Sequence, residues 1–248
     1  MPSTGAVSSD VQPIPFALGH PRWVAAVARA AVQLLGTLLI LTLVPTNLAK
    51  VLSLLAFWWV TLRPCKTHDL ALFSLGCVIF TGMNAAALRN GVFVFSAPDW
   101  LRMPIWELFM WGFYLLHFHR LLAGQPPSLE WRTTAPLVTA FAACFAIFTE
   151  PTWLLLTTAS VLALALLRFH EPLDWAYVGY AVVVGAAIEY VGVYAGLWHY
   201  PALPANGVPL WFITMWGGVG LWLRRLALPL LAQAFANQRL AIPTQSPR

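Results

Sequence analysis

Residues 189–216 read EYVGVYAGLWHYPALPANGVPLWFITMW, and their meaning lies 105 positions earlier, where residues 84–111 read NAAALRNGVFVFSAPDWLRMPIWELFMW. The later stretch begins inside an apolar helix with a lone carboxylate, Glu189. It leaves that helix through Gly192 and Gly196 into Trp198, His199 and Tyr200, crosses a loop broken by Pro and Gly, and re-enters an apolar helix at Pro209. Under the shift, Gly196 falls on Gly91, Pro209 on Pro104 and Trp211 on Trp106. Met215, Trp216 and Gly217 fall on Met110, Trp111 and Gly112. Farther out, Arg225 falls on Arg120, Asp174 on Asp69 and Arg168 on Arg63, and no gap is needed from Arg63 to Leu121. The chain reads as a tandem duplication.

Composition sets the class. Of 248 residues, 60% are hydrophobic and 9% charged, with a mean hydropathy of +0.73. So few charges cannot cover a water-soluble surface, which makes this an all-α, polytopic membrane protein. A β-barrel would alternate polar and apolar residues instead of presenting long apolar runs. The net charge of +5 belongs to topology rather than to nucleic acid, since no basic patch with interleaved aromatics is present. Cys65, Cys77 and Cys144 share no metal-like spacing and read as free thiols. The N-terminus lacks a basic stretch ahead of an apolar core, so it reads as a polar tail and not as a cleaved signal peptide.

The apolar runs predict helices over 23–44, 48–63, 69–89 and 104–122 in repeat one (23–122). Repeat two (134–232) has helices over 134–149, 152–168, 174–195 and 209–232. Residues 123–133 link the repeats, and 1–22 and 233–248 are tails. That makes about eight transmembrane helices in two parallel copies related by an axis along the membrane normal. The runs 48–63 and 134–149 are short against the roughly 20 residues a bilayer crossing takes. Arg22, Arg63, Lys66, Arg120, Arg132, Arg168, Arg224, Arg225, Arg239 and Arg248 fall on one face, where Arg29 snorkels as well, against Lys50, Arg89 and Arg102 on the other. The positive-inside rule then puts both termini in the cytoplasm, of a bacterial inner membrane, and opens the 84–111 and 189–216 stretches toward the outer leaflet.

Ionisable residues inside spans cost about 2.5–3.5 kcal/mol at a helix centre on insertion scales, and they mark function. At 1.5 Å per residue, Glu189 sits roughly 10 Å, and Glu107 roughly 5 Å, below the outer helix ends. Two carboxyls at similar depth, one per repeat, could make one central site in which a protonated acid serves as general acid; the bland reading is polar glue between helices. Asn84 holds the place of Glu189 in repeat one and either orients a carboxyl or pairs helices. Trp106, Trp111, Trp198, Tyr200, Trp211 and Trp216 form either an interfacial belt or a cavity whose ring faces hold a cation. His199 is a proton relay or a plain interface histidine. His117 and His119 face different ways and make a poor metal pair, and Asp69, Glu150, Glu171 and Asp174 read as solvated helix caps. No metal or cofactor is expected. The chain has no di-iron histidine array, no Asp-rich diphosphate motif, no last-helix lysine for a Schiff base and no nucleotide loop.

The repeat unit resembles the small membrane-embedded lycopene cyclase domain, which occurs as tandem or heterodimeric pairs. In that domain a helix ends in Trp-Asp-Asn, Gly-Val-Trp-x-Tyr follows, and the next helix opens with Pro-x-Glu-Glu-x-x-Phe-Phe. Repeat one offers Met83-Asn84-Ala85, then Gly91-Val92-Phe93-Val94-Phe95, then Pro104-Ile105-Trp106-Glu107. Repeat two offers Ile188-Glu189-Tyr190, then Gly196-Leu197-Trp198-His199-Tyr200, then Pro209-Leu210-Trp211-Phe212. The run from Glu189 to Pro209 is also similar to the related bisanhydrobacterioruberin hydratase type of carotenoid protein. Of the acids that follow the proline in the cyclase pattern, repeat one keeps Glu107 and repeat two keeps none.

The resemblance implies a cofactor-independent enzyme, a cyclising isomerase or a hydro-lyase, that protonates a double bond of a long isoprenoid or carotenoid in the membrane. Glu107 or Glu189 would be the acid, and Trp106, Trp198 and Trp211 would hold the carbocation. The alternative is a non-catalytic membrane protein of the same fold that binds lipid or carotenoid or helps assemble a complex. A transporter is a third, weaker class.

Overall fold

A computed structural model describes residues 21–241 of the chain. Within them run α1 (Pro21–Leu43), α2 (Asn47–Thr61), α3 (Thr67–Arg89), α4 (Glu107–Leu122), α5 (Trp131–Ile147), α6 (Pro151–Phe169) and α7 (Pro172–Tyr194). A last rod follows: α8 (Trp211–Trp222), a π-helical segment (Leu223–Ala227) and α9 (Leu228–Ala241). Two short strands, β1 (Val94–Phe95) and β2 (Trp198–His199), lie in the connections after α3 and α7.

Local chemistry places the ends. Pro151 and Pro172 open their helices, where the missing N–H costs nothing. Glu150 accepts the N–H groups of Thr152 at 3.0 Å and Trp153 at 2.9 Å, so its carboxyl is held below the usual carboxylate range. Gly91 and Gly196 follow α3 and α7 with φ of +70° and +67°, a left-handed turn that suits glycine.

Among the described residues, five stretches are long and apolar enough to cross a membrane: Trp23–Leu43, Thr67–Arg89, Pro151–Phe169, Pro172–Tyr194 and Trp211–Asn237. α2 and α5, of 15 and 17 residues, are apolar but shorter. Large apolar side chains such as Leu39, Leu52, Val78, Leu167 and Val183 stand exposed around the outside. In water that surface would aggregate, whereas lipid solvates it. The chain is an all-α integral membrane protein.

The core is built around α4, every residue of which from Met110 to Phe118 is buried. α3 packs on α4 and α7 on α8, while α1 and α7 also reach α4 and α9 returns to α3. Glycines permit the closest approaches. A Cβ at Gly112 would stand 2.5 Å from the Phe73 carbonyl oxygen, and one at Gly220 2.4 Å from that of Tyr177.

Several expectations change here. α4 begins at Glu107 rather than 104 and α8 at Trp211 rather than 209, because Pro104 and Pro209 lie in turns whose carbonyls accept from Glu107 and Phe212. The last helix passes the expected end at 232 and continues to Ala241, into the stretch read as a tail. Asp69 and Asp174 are not solvated caps: they are 2% and 0% exposed. Each accepts the N–H at the start of its own helix, from Lys66 at 2.8 Å and Glu171 at 3.0 Å. Each also holds a guanidinium, Asp69 that of Arg120 at 2.7 Å and Asp174 those of Arg225 and Arg224. Burial of such acids is tolerable only with charge pairing of this kind. Residues 1–20 and 242–248, hence most of the first expected tail and part of the second, and the side chains of Arg22 and Arg239 lie outside the described residues.

Candidate functional site

β1 and β2 are antiparallel, with Val94 opposite His199 and Phe95 opposite Trp198. They tie the α3–α4 and α7–α8 connections together over the ends of α4 and α8. Neither strand is visible in the sequence alone, since two residues leave no alternation to read. The pairing turns Phe95, Trp198 and Tyr200 inward, and all three are buried.

Beneath this lid is a cavity of about 60 Å³. Both intramembrane carboxyls line it, Glu107 from the first turn of α4 and Glu189 from the last turns of α7. Asn84, Trp111, Trp198, Tyr200, Trp211 and Trp216 line it too, and so do Phe93, Phe95, Tyr114, Ile188 and Met215. Eight of the ten residues expected at a site therefore surround one space.

The other two do not. Trp106 is buried elsewhere, donating its indole N–H to Asn47 Oδ1 at 3.1 Å, with the Lys50 ammonium 5.9 Å from its ring. His199 is exposed on β2, because strand alternation sends it away from its buried neighbours Trp198 and Tyr200. Nor are the six aromatics an interfacial belt, since every one of them is buried. Tyr114 could have been found from the sequence: Glu107, Trp111 and Tyr114 stand at i, i+4 and i+7 on one helix face.

Hydrogen bonds separate the two acids. Glu189 is met on both oxygens, by Tyr200 Oη–H at 2.7 Å and Trp198 Nε1–H at 3.2 Å on Oε2, and by Trp216 Nε1–H at 3.2 Å on Oε1. Three donors suit a carboxylate, which only accepts. Glu107 receives Asn84 Nδ2–H at 2.7 Å and Trp111 Nε1–H at 3.1 Å on the same oxygen, Oε1. Asn84 thus serves Glu107 across the α3–α4 contact.

Ring stacking fixes the walls. Phe80 stacks on Trp111 with centroids 4.0 Å apart, and Trp111 stacks on Trp216 at 4.8 Å. Trp216 in turn lies flat on the bare backbone of Gly185, where a Cβ would fall 2.1 Å from the indole. Trp198 covers Gly192 in the same way, at 1.9 Å. A second polar chain lies deeper, outside the cavity lining. His117 Nδ1 meets Gln33 Oε1 at 3.0 Å and His117 Nε2 meets the Tyr180 hydroxyl at 2.6 Å, which turns His117 away from His119.

No protein-family model, no curated protein and no solved structure matches the chain. The geometry of the cavity is what defines the site: a small, aromatic-walled space in an all-α membrane protein, lined by two carboxyls with unlike hydrogen-bond shells.

Proposed function

We propose that this is a membrane enzyme of the lycopene-cyclase-like kind, built from two copies of a four-helix unit and acting on a long isoprenoid or carotenoid. The observation that carries the reading is that Glu107 and Glu189, one per half, line the same buried aromatic cavity. The duplication is supported by pairs that correspond under the 105-residue shift. Val94 and His199 are cross-strand partners, Trp111 and Trp216 stack on each other, and the Asp69–Arg120 pair is repeated as Asp174–Arg225. Equivalent residues that meet face to face are what a local twofold axis through the lid and the ring stack would produce. Eight crossings, with α2, α4 and α5 as short spans buried or tilted among the longer ones, leave both termini on the arginine-rich, cytoplasmic side.

In the proposed reaction Glu107, whose Oε2 is free of the donors gathered on Oε1, gives a proton to a terminal carbon–carbon double bond. The carbocation is held against the faces of Trp111, Trp198, Trp211 and Trp216. Attack by a neighbouring double bond closes a ring, and Glu189 takes the proton lost from the ring carbon. Alternatively water adds to the cation and its proton goes to Glu189. Return of that proton to Glu107 completes a redox-neutral cycle. General acid–base groups of this kind supply about 10²–10⁴-fold in rate.

The loss of every acidic residue after Pro209 favours a second reading, a non-catalytic lipid or carotenoid binder. The cavity of about 60 Å³ is far below the roughly 300–1,000 Å³ of ordinary ligand pockets. Either reading therefore requires the β1–β2 lid to part when the isoprenoid enters. Expression in a bacterium that accumulates lycopene, with pigments separated and weighed, tests both. The enzyme reading expects a product isobaric with lycopene, or one heavier by water, that disappears in Glu107→Gln and Glu189→Gln. Unchanged pigment with the protein in the membrane removes this substrate. Pigment that copurifies unaltered with wild type and both variants establishes the binder.

A further inference from the structure

A second cavity, of about 560 Å³, opens at the other end of the molecule between the start of α3 and the inner face of α9. Leu72, Leu228, Leu231 and Phe235 make its apolar wall, and Lys66, Thr67, His68 and His119 line its polar side. Asp69 stands directly behind that polar side. Ring nitrogens of His68 and His119 and a carboxylate oxygen of Asp69 all lie within 4.8 Å of one another. His68 Nε2 is 3.3 Å from Asp69 Oδ1.

From this geometry we infer that His68, Asp69 and His119 form a site for a divalent transition metal of the zinc type, with its fourth position open to the cavity. Metal–ligand bonds of about 2.0–2.2 Å at tetrahedral angles put ligand atoms about 3.4 Å apart. The His68–Asp69 separation already fits, the other separations are at most 4.8 Å and have to close by no more than about 1.4 Å, and the His68 side chain is 44% exposed and has room to move. The other oxygen of Asp69 is occupied by the Lys66 N–H and Arg120, which fixes the carboxylate and leaves Oδ1 facing the histidines.

A separate observation points to a missing ligand. Among the described residues, His119 Nδ1 is one of two buried side-chain nitrogen or oxygen atoms with no hydrogen-bond partner. An imidazole nitrogen buried without a partner is costly unless something binds it. The second half of the chain shows what the first lacks. Under the 105-residue shift Lys66 and His119 correspond to Glu171 and Arg224, which form a direct ion pair there. In the first half that pair is gone, and two histidines and an aspartate are left around a cavity.

The test is a zinc titration of tag-free protein in detergent against a chromogenic chelator, with cobalt as a spectroscopic stand-in. Wild type is expected to take up one metal ion per chain and to show the visible bands of tetrahedral cobalt. His68→Ala and His119→Gln should each weaken zinc binding about 100-fold or more, beyond the 10–100-fold cost typical of losing an outer-shell partner, and should abolish the cobalt bands. His170→Ala, at an exposed helix end, should change neither. Equal zinc affinity in wild type and both site variants would overturn the inference, and so would equal loss in His170→Ala. Since His68 is exposed, a variant there that elutes as wild type does excludes misfolding as the cause.

Discussion

Glu189 is surrounded by hydrogen-bond donors that only folding assembles, two from the lid and one from α8. Tyr200 is the closest, at 2.7 Å. Tyr200→Phe keeps the ring and its packing on Trp211 but removes that donor. A hydrogen bond to a charged group is worth about 1.5–3 kcal/mol, so thermal unfolding in detergent should show a lowered midpoint. A midpoint equal to wild type would show that this bond does not stabilise the folded state. Glu171, at the α7 N-terminus, gives a pH-dependent counterpart. Burial opposes its ionisation, but Arg224 and Arg225 outweigh that and hold its carboxyl below the ordinary 4.5. A carboxyl depressed on folding stabilises above its unfolded value, and that contribution disappears as pH falls from about 4.5 through the lower folded value. Glu171→Gln should therefore narrow its stability gap to wild type as pH drops below 4.5; a gap constant with pH would sink the idea. At this scale the sequence was informative about identity and poor about partners. A lone carboxyl in an apolar run announces itself, so Glu107 and Glu189 were legible. That Asn84 bonds Glu107, or that Asp69 is buried against Arg120, depends on residues 23 and 51 positions away.

Elements come together where side chains are missing. Gly185 and Gly192 on α7 are flat seats for Trp216 and Trp198, and a methyl group at Gly185 would overlap the indole. Gly185→Ala should push Trp216 off its stack with Trp111 and cost about 1–3 kcal/mol, as overpacking does. Gly82→Ala on exposed α3 meets nothing within 4 Å and should gain about 0.5–1 kcal/mol from helix propensity alone. Unfolding midpoints that move in opposite directions would bear this out; a Gly185→Ala protein as stable as wild type would remove the seat from the argument. Apolar runs and Pro punctuation located the helices to within about three residues at every end but the last, which runs on from 232 to Ala241, because a membrane span is a long and simple signal. The β1–β2 pair and the π-helical segment were not legible. The strands exist through each other, and the wider π turn lies where two consecutive arginines, Arg224 and Arg225, both reach the start of α7.

The whole molecule has one strongly basic end. Arg63, Lys66, Arg120, Arg132 and Arg168 fall at or just beyond the ends of α2, α4 and α6 or at the starts of α3 and α5, and Arg224 and Arg225 in the π-helical segment within the last rod, while Lys50, Arg89 and Arg102 serve the other side. Many of the basic group are neutralised in place: Arg120 by Asp69, Arg168 by Glu130 at 2.7 Å, Arg224 and Arg225 by Glu171 and Asp174. Orientation does not follow net charge, however. Lys and Arg near span ends are retained in the cytoplasm, and acidic neighbours count for little. The basic end should therefore face the cytoplasm despite its ion pairs, with the two-carboxyl cavity toward the outer leaflet and the histidine cluster toward the inner. Alkaline phosphatase joined after Arg248 should be inactive and a fluorescent protein joined there should glow. Alkaline phosphatase inserted at Gly207, in the α7–α8 connection, should be active. An active enzyme at the C-terminus and an inactive one at Gly207 would invert the molecule. A hydrophobic substrate would then reach Glu107 and Glu189 from the cytoplasmic leaflet, and the zinc-type site would lie outside, where cellular metal buffering no longer sets its occupancy.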